Sequence, residues 1–334
     1  MNRHAKTLST MLAVATTALL TGCSVATDGA TNGTANEASH AVQDLRTAPV
    51  AQESSTVDKG NWPPATPPSG LAKGLSLPLE DYMQTYQDTV ALDDAARHIQ
   101  KQCMAGYGFT LTLPPAGSTP PPNDNDANIE RRYGITDRAT AAKYGYGLPD
   151  ELQHQQGAEL PKMTKEETEV FSGFTSLDPH DPDRAPAPST YNGKSIHRNG
   201  CAGLADEQTG QSALDFSLAG RLDAETLTES QNTPEVKSVI AAWSQCMKTK
   251  GYTVDTPYNA IDLVPRAEGA VSQDEIDAAL ADIDCKQSTD LVKIWFDAET
   301  AIQKQQIADH QGELTKAKER GTTALTAAAK ALAH

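Results

Sequence analysis

Tyr133, Tyr144 and Tyr146 are set among Gly134, Gly145 and Gly147 and beside Arg131 and Arg132; no other side chains in this sequence are so suited to holding a ligand. Aromatic faces next to cations suit a sugar ring or an anionic cell-wall polymer, so Arg132, Tyr133, Tyr144 and Tyr146 are the candidate binding residues. The same residues have a structural use, since glycine permits tight turns and tyrosine packs on helices, and that use ranks first. Asp124, Asp126 and Asn128 open like a calcium loop, but Ile129 stands where the loop needs glycine and Ile135 where it needs an acid. Asp178, His180, Asp181 and Asp183 are held extended by Pro179 and Pro182 and read as a solvated acidic loop. No serine sits in a nucleophile elbow, and S-x-x-K, H-E-x-x-H and G-x-x-x-x-G-K are all absent. No catalytic residue, metal site or cofactor is therefore assigned. His98 and His154 lack a spaced partner and read as surface residues, while Trp243 and Trp295 lie at helical spacing among apolar neighbours and read as core.

The N-terminus explains one of the five cysteines. Arg3 and Lys6 precede an apolar run from Leu8 to Leu20 that closes on Leu20-Thr21-Gly22-Cys23, the three-part form of a secretory signal. A run of about a dozen residues is too short to cross roughly 30 Å of hydrocarbon as a helix, so cleavage is expected. These residues resemble the bacterial lipobox. That resemblance implies that Cys23 carries diacylglycerol and becomes the first residue, and two acyl chains at about 0.8 kcal/mol per methylene anchor firmly. Loss of Arg3 and Lys6 with residues 1–22 takes the formal charge from -16 to -18. Such a surface disfavours nucleic acid as a partner and is repelled by anionic headgroups.

Two segments match as C-M-x-x-x-G-aromatic: Cys103-Met104-Ala105-Gly106-Tyr107-Gly108-Phe109 and Cys246-Met247-Lys248-Thr249-Lys250-Gly251-Tyr252. Each closes an amphipathic helical stretch and each is followed by another cysteine, Cys201 and Cys285. Four such cysteines in an exported chain, without C-x-x-C or histidine at ligand spacing, read as two disulfides. Of the three pairings, the repeat favours Cys103 with Cys201 and Cys246 with Cys285, stapling each unit to itself. Joining the equivalent cysteines, Cys103 with Cys246, is the rival.

The elements that position these residues read as helices. Ser24 to about Ser76 is Ala, Thr, Ser, Asn, Gly and Pro, and residues 23–76 are expected to form a lipidated flexible tether. Leu92, Ala95, Ala96, Ile99 and Cys103 share one helical face. A proline-rich loop runs from Thr110 to Asn128, a short helix from Thr136 to Lys143, and another starts at the capping-box pair Thr164 and Glu167. Leu177 to Gly200 reads as a second loop. Thr233 and Pro234 open a helix with Val236, Val239, Ile240, Trp243 and Cys246 on one side. Ser272 and Glu275 open a helix reaching Cys285, and a third runs from about Thr289 to His310. Residues 313–334, rich in Ala and Lys, have little to bury and are expected to fray. The fold expected is mainly α with a few short strands and long loops: two disulfide-stapled helical units in one compact region, residues 77–312, with halves at about 77–220 and 221–312.

The lipobox, both C-M-x-x-x-G-aromatic units, Arg132-Tyr133-Gly134-Ile135, Tyr144-Gly145-Tyr146, and Asp284-Cys285-Lys286 followed by Trp295 together resemble a group of secreted lipoproteins of Gram-positive bacteria without assigned function. The resemblance covers about Leu79 to His310. It implies an address and a disulfide framework, and supplies no activity. The expected function is a non-enzymatic binding domain held at the outer face of the cell membrane through lipid on Cys23, with a cell-wall polymer or envelope protein as partner. The alternative is a cell-wall hydrolase whose acids meet only in the fold. A solute-binding transporter component lacks the strand and helix alternation it needs.

Overall fold

The computed structural model describes residues 57, 59, 62–118, 128–148, 161–265 and 271–333. The signal segment and Cys23 lie outside them, as do Asp124, Asp126 and His154. The described residues form α1 (Tyr86–Gly106), α2 (Arg138–Tyr144), α3 (Lys165–Ser172), a hairpin of β1 (Thr190–Tyr191) and β2 (Lys194–Ser195), α4 (Gly200–Thr209), α5 (Ser217–Ser230), α6 (Pro234–Thr249), α7 (Gln273–Ser288), α8 (Leu291–Asp309) and α9 (Gln311–Leu332). The fold is mainly helical, and the hairpin pairs Thr190 with Ser195 and Tyr191 with Lys194. No helix of the described residues is long and apolar enough to cross a membrane.

Local chemistry sets the helix starts. Thr85 and Asp88, and Thr164 and Glu167, form reciprocal capping boxes at α1 and α3, and the Asp137 and Thr233 side chains cap α2 and α6. Ser272 accepts from Glu275 N–H at α7, but the Glu275 carboxylate accepts Tyr146 N–H at 3.2 Å, so the expected box gives up its second half to a tertiary contact.

The repeated motif proves to be a helix terminator. The Met104 carbonyl accepts from both Tyr107 N–H and Phe109 N–H, and the Met247 carbonyl from Lys250 N–H and Tyr252 N–H, every bond 3.0 Å. Gly108 and Gly251 sit at φ +90° and +94°, where glycine carries no Cβ penalty. The pattern is a Schellman cap: the aromatic just past the glycine packs back toward the buried methionine. The cysteine ahead of each methionine bonds within its own unit, Cys103 to Cys201 on α4 and Cys246 to Cys285 on α7, with Cα atoms 5.6 Å apart in both.

Two main clusters make the core. One gathers Tyr133, Trp243, Trp295, Met247 and Ile283 from the 131–146 segment, α6, α7 and α8. The other surrounds Cys103–Cys201, with Ile99, Met104, Val170 and Leu204 from α1, α3 and α4 and Leu111 from the segment after α1. The clusters do not divide the sequence near residue 220, because residues 133–146 pack with the C-terminal helices.

Three expectations are corrected. The tail expected to fray is helical through Leu332: α9 buries Leu314, Ala317, Gly321, Ala324 and Ala328, and its Ala324 and Ala328 close a small cluster with Leu92 and Ala95 of α1. The tether does not extend to Ser76. Trp62 donates its indole N–H to the Gly117 carbonyl at 3.0 Å, Leu71 N–H bonds the Thr136 carbonyl, and Ala72 is fully buried in the larger cluster. Residues 62–77 thus form a strap on the folded body. The loop expected from Leu177 to Gly200 carries the hairpin, and α4 and α5 follow it in a stretch whose sequence announces no helix.

Candidate functional site

The 131–135 segment lies where the polar interior of the molecule is concentrated. Arg132 reaches between α5 and α8. Its Nη1 and Nη2 bond Asp223 Oδ2 and Oδ1 at 2.8 and 2.9 Å, and Nη2 also bonds the Asp223 carbonyl at 2.9 Å. Nε and Nη2 reach Glu299 at 2.5 to 3.2 Å. The planar fork of the guanidinium suits such two-carboxylate clamping, which a lysine could not reproduce. Burial opposes the Arg132 charge, yet the bonds and charges of Glu299 and Asp223 outweigh it and hold the group above its ordinary pKa.

Glu299 is fully enclosed and also accepts from Tyr133 Oη at 2.8 Å. Gln303, one turn on, donates to Asp223 and Thr226 and accepts from Leu79 N–H at 2.9 Å, tying the Pro78–Tyr82 3-10 helix to α5 and α8. Tyr258 Oη donates to the Arg132 carbonyl at 2.7 Å. Burial, then the neighbouring Glu299 charge, raises the Tyr133 phenol. At the edge, Ser76 Oγ donates to Glu80 Oε2 at 2.5 Å, and burial first and Asp223 next raise the Glu80 carboxyl.

A second buried pair flanks the same segment. Lys286 Nζ lies 3.0 Å from Asp282 Oδ2 and donates to the Ile135 carbonyl, while Trp243 donates its indole N–H to Asp282 Oδ1 at 2.9 Å. Both partners are sealed from solvent, and burial lowers the Lys286 amine and raises the Asp282 carboxyl, each opposed by the other's charge.

The residues read as a binding cluster are divided by this arrangement. Tyr133 is fully buried against Trp295, their ring centroids 5.2 Å apart, and Tyr146 is 4% exposed with its hydroxyl on the Ala278 carbonyl. Tyr144 is half-buried at the end of α2, and Arg131 donates to the Tyr146 carbonyl. No shared open tyrosine face is formed by Tyr133 and Tyr146, and Arg132 spends its fork on two carboxylates. Trp243 and Trp295 are core. In the acidic loop, Asp178 and Asp181 each accept the backbone N–H two residues on, and among the described residues no group of three or more His, Cys, Asp or Glu is placed to hold a metal. Asn128 donates to the Pro64 carbonyl in the strap.

Asp223, Asp282, Lys286, Glu299 and Gln303 carry this interior; of these only Lys286 belongs to a sequence motif, Asp284-Cys285-Lys286, and none stands out in the sequence as a site residue. A signal was present for two: Glu299 and Gln303 continue at four-residue spacing the face begun by Leu291 and Trp295, so polar side chains fall on a core stripe. Chemically the network clamps three segments and fixes the 131–135 turn. No family model, no curated protein and no solved structure matches the chain.

Proposed function

We propose that this is a lipid-anchored envelope protein whose folded body is a non-enzymatic binding domain. The observation that carries the address is the pair of disulfides, one closing each helical unit, because such bonds persist in oxidising extracytoplasmic compartments. The lipobox-like Leu20-Thr21-Gly22-Cys23 supplies the anchor and the strap from Trp62 supplies a firm attachment to the body. Membrane contact comes through diacylglycerol on Cys23, and the partner is a wall polymer or envelope protein. The test is expression in a Gram-positive host fed an alkyne-tagged palmitate. The wild-type protein takes up label and partitions into detergent, and Cys23→Ala does neither. An unlabelled wild-type protein released to the medium would remove the reading.

Asp223 and Glu299 are an acid pair on which a hydrolase reading could draw, but both are bound to Arg132 and Glu299 is sealed from solvent. A general acid must reach its substrate, so this pair suits a scaffold. Wall-degrading activity that vanished in Asp223→Asn while the fold survived would reverse that order.

A further inference from the structure

Asp282 and Lys286 stand one turn apart on α7, the spacing at which two side chains of a helix meet. Among the described residues, Asp93 with Arg97, Lys165 with Glu169, Arg221 with Glu225 and Lys293 with Asp297 lie at the same spacing, and each pair keeps at least one partner 40% or more exposed. Asp282 and Lys286 are both 0% exposed. Removing two full charges from water is costly unless their hydrogen bonds are all met. An ammonium has three N–H groups, and two acceptors are in place for this one, the Ile135 carbonyl at 2.9 Å and Asp282 Oδ2 at 3.0 Å. Gly134 lies against another side of the amine, where a Cβ would stand 2.7 Å from Nζ.

A secondary amide joining the two side chains would meet the same partners with nothing left over. Its one N–H would face the Ile135 carbonyl. Its one C=O, built on Oδ1, would face the Trp243 indole N–H, which already donates to Oδ1 at 2.9 Å. The site thus offers one acceptor and one donor, the complement of an amide, and the product carries no buried charge.

We propose that Lys286 and Asp282 condense into an intramolecular amide, a covalent bridge across one turn of α7 beside the Cys246–Cys285 disulfide. The ammonium gives a proton to Oδ2 across their hydrogen bond, leaving an amine and a carboxylic acid, and burial favours both neutral forms. The Nζ lone pair attacks Cγ, and charge gathers on Oδ1, where the indole N–H stabilises it. A second proton passes from the nitrogen to Oδ2 as the bond from Cγ to that oxygen breaks. One water departs and the atoms balance. Amine and acid do not condense freely in water, but well-oriented intramolecular reactions reach effective molarities of about 10⁵–10⁸ M, and a sealed site keeps water from reversing the step. The bond is independent of the anchor and of the binding reading, so neither stands or falls with it.

The test is a tryptic map of the full-length protein after unfolding, reduction and alkylation. Trypsin does not cut after an acylated lysine. The peptide from Ala267 to Lys293 is therefore expected uncut at Lys286 and lighter by one water, with no fragment ions from breaks between Asp282 and Lys286. The exposed Lys293–Asp297 pair is the internal control, and the chain is cut after Lys293 as usual. Lys286→Arg, whose guanidinium is not a nucleophile, restores the cut at position 286 and the missing water; the wild-type map does not depend on that variant folding. A wild-type chain cut after Lys286, or a peptide of full mass, overturns the proposal. So does a peptide short of one water yet still cut after Lys286, the pattern of an aspartate closed on its own backbone.

Discussion

Glu299 shows how much of this fold depends on one side chain. Its carboxylate is fully enclosed and takes bonds from Arg132 and Tyr133. Truncation leaves a mostly buried guanidinium with one carboxylate where it had two. Breaking such a pair costs about 3–5 kcal/mol, a large share of a typical domain's 5–15 kcal/mol. Glu299→Ala is expected to lower the urea midpoint accordingly, and a shift below 1 kcal/mol by the same measure would show that solvent reaches the site. Glu80 has the opposite sign. Burial and Asp223 raise its carboxyl, so the folded state holds the proton more tightly than the unfolded chain does. Its stabilising contribution is complete below the ordinary carboxylate range and is lost as pH rises through the raised value. Glu80→Gln should therefore stabilise the protein at neutral pH and gain nothing in acid, as thermal unfolding across pH would show; a gap independent of pH would contradict this.

At the scale of elements, what could be read in the sequence follows from where stabilisation is local. α6 was legible because Thr233, Pro234 and an apolar stripe announce it, and α2 because Asp137 and Gly145 bracket it. Both disulfides were legible because the repeat gave each cysteine a partner within its own unit. α4 and α5 were not: neither has a side-chain cap at its start, and the buried face of α5 includes Thr226 and Ser230 as well as Ala219 and Leu222. α9 was misread because its buried positions are mostly alanine and glycine, which bury little area each and reveal their role only against a partner helix. The strap failed for the same reason, since Ala72 buries little area and shows itself as core only in the assembled larger cluster. The tyrosine cluster was named as a candidate site, but its real neighbours, Asp223 and Glu299, lie far along the chain. Leu314, wholly buried between α9, α5 and the Pro78–Tyr82 helix, tests the α9 correction. Leu314→Ala should cost about 2–5 kcal/mol, measured by denaturant unfolding, whereas a frayed tail would register nothing.

At the scale of the whole molecule the two disulfides differ in access. Cys103 and Cys201 are 3% and 1% exposed, while Cys246 is only half-buried beside a sealed Cys285. Reductants should open Cys246–Cys285 first, and alkylation followed by peptide mapping should find those two thiols labelled before the others. The ring closed by Cys103–Cys201 is the longer, with a separation of 98 against 39, so chain entropy assigns it about 4.7 kcal/mol and the other about 4 kcal/mol. Pairwise Cys→Ala variants compared by calorimetry check that order.

The seat of α9 on α1 also governs when folding can finish. Leu92 and Ala95 are covered by Ala324 and Ala328, more than two hundred residues later in the chain. A polypeptide emerging N-terminus first, at about 5–20 residues per second, leaves that side of α1 bare for roughly 10 to 45 s before its cover arrives. Among the described residues the first long helix to appear is thus among the last to be enclosed, so the nascent protein needs a companion, or a solvating sequence ahead of it, to keep that face from finding another chain.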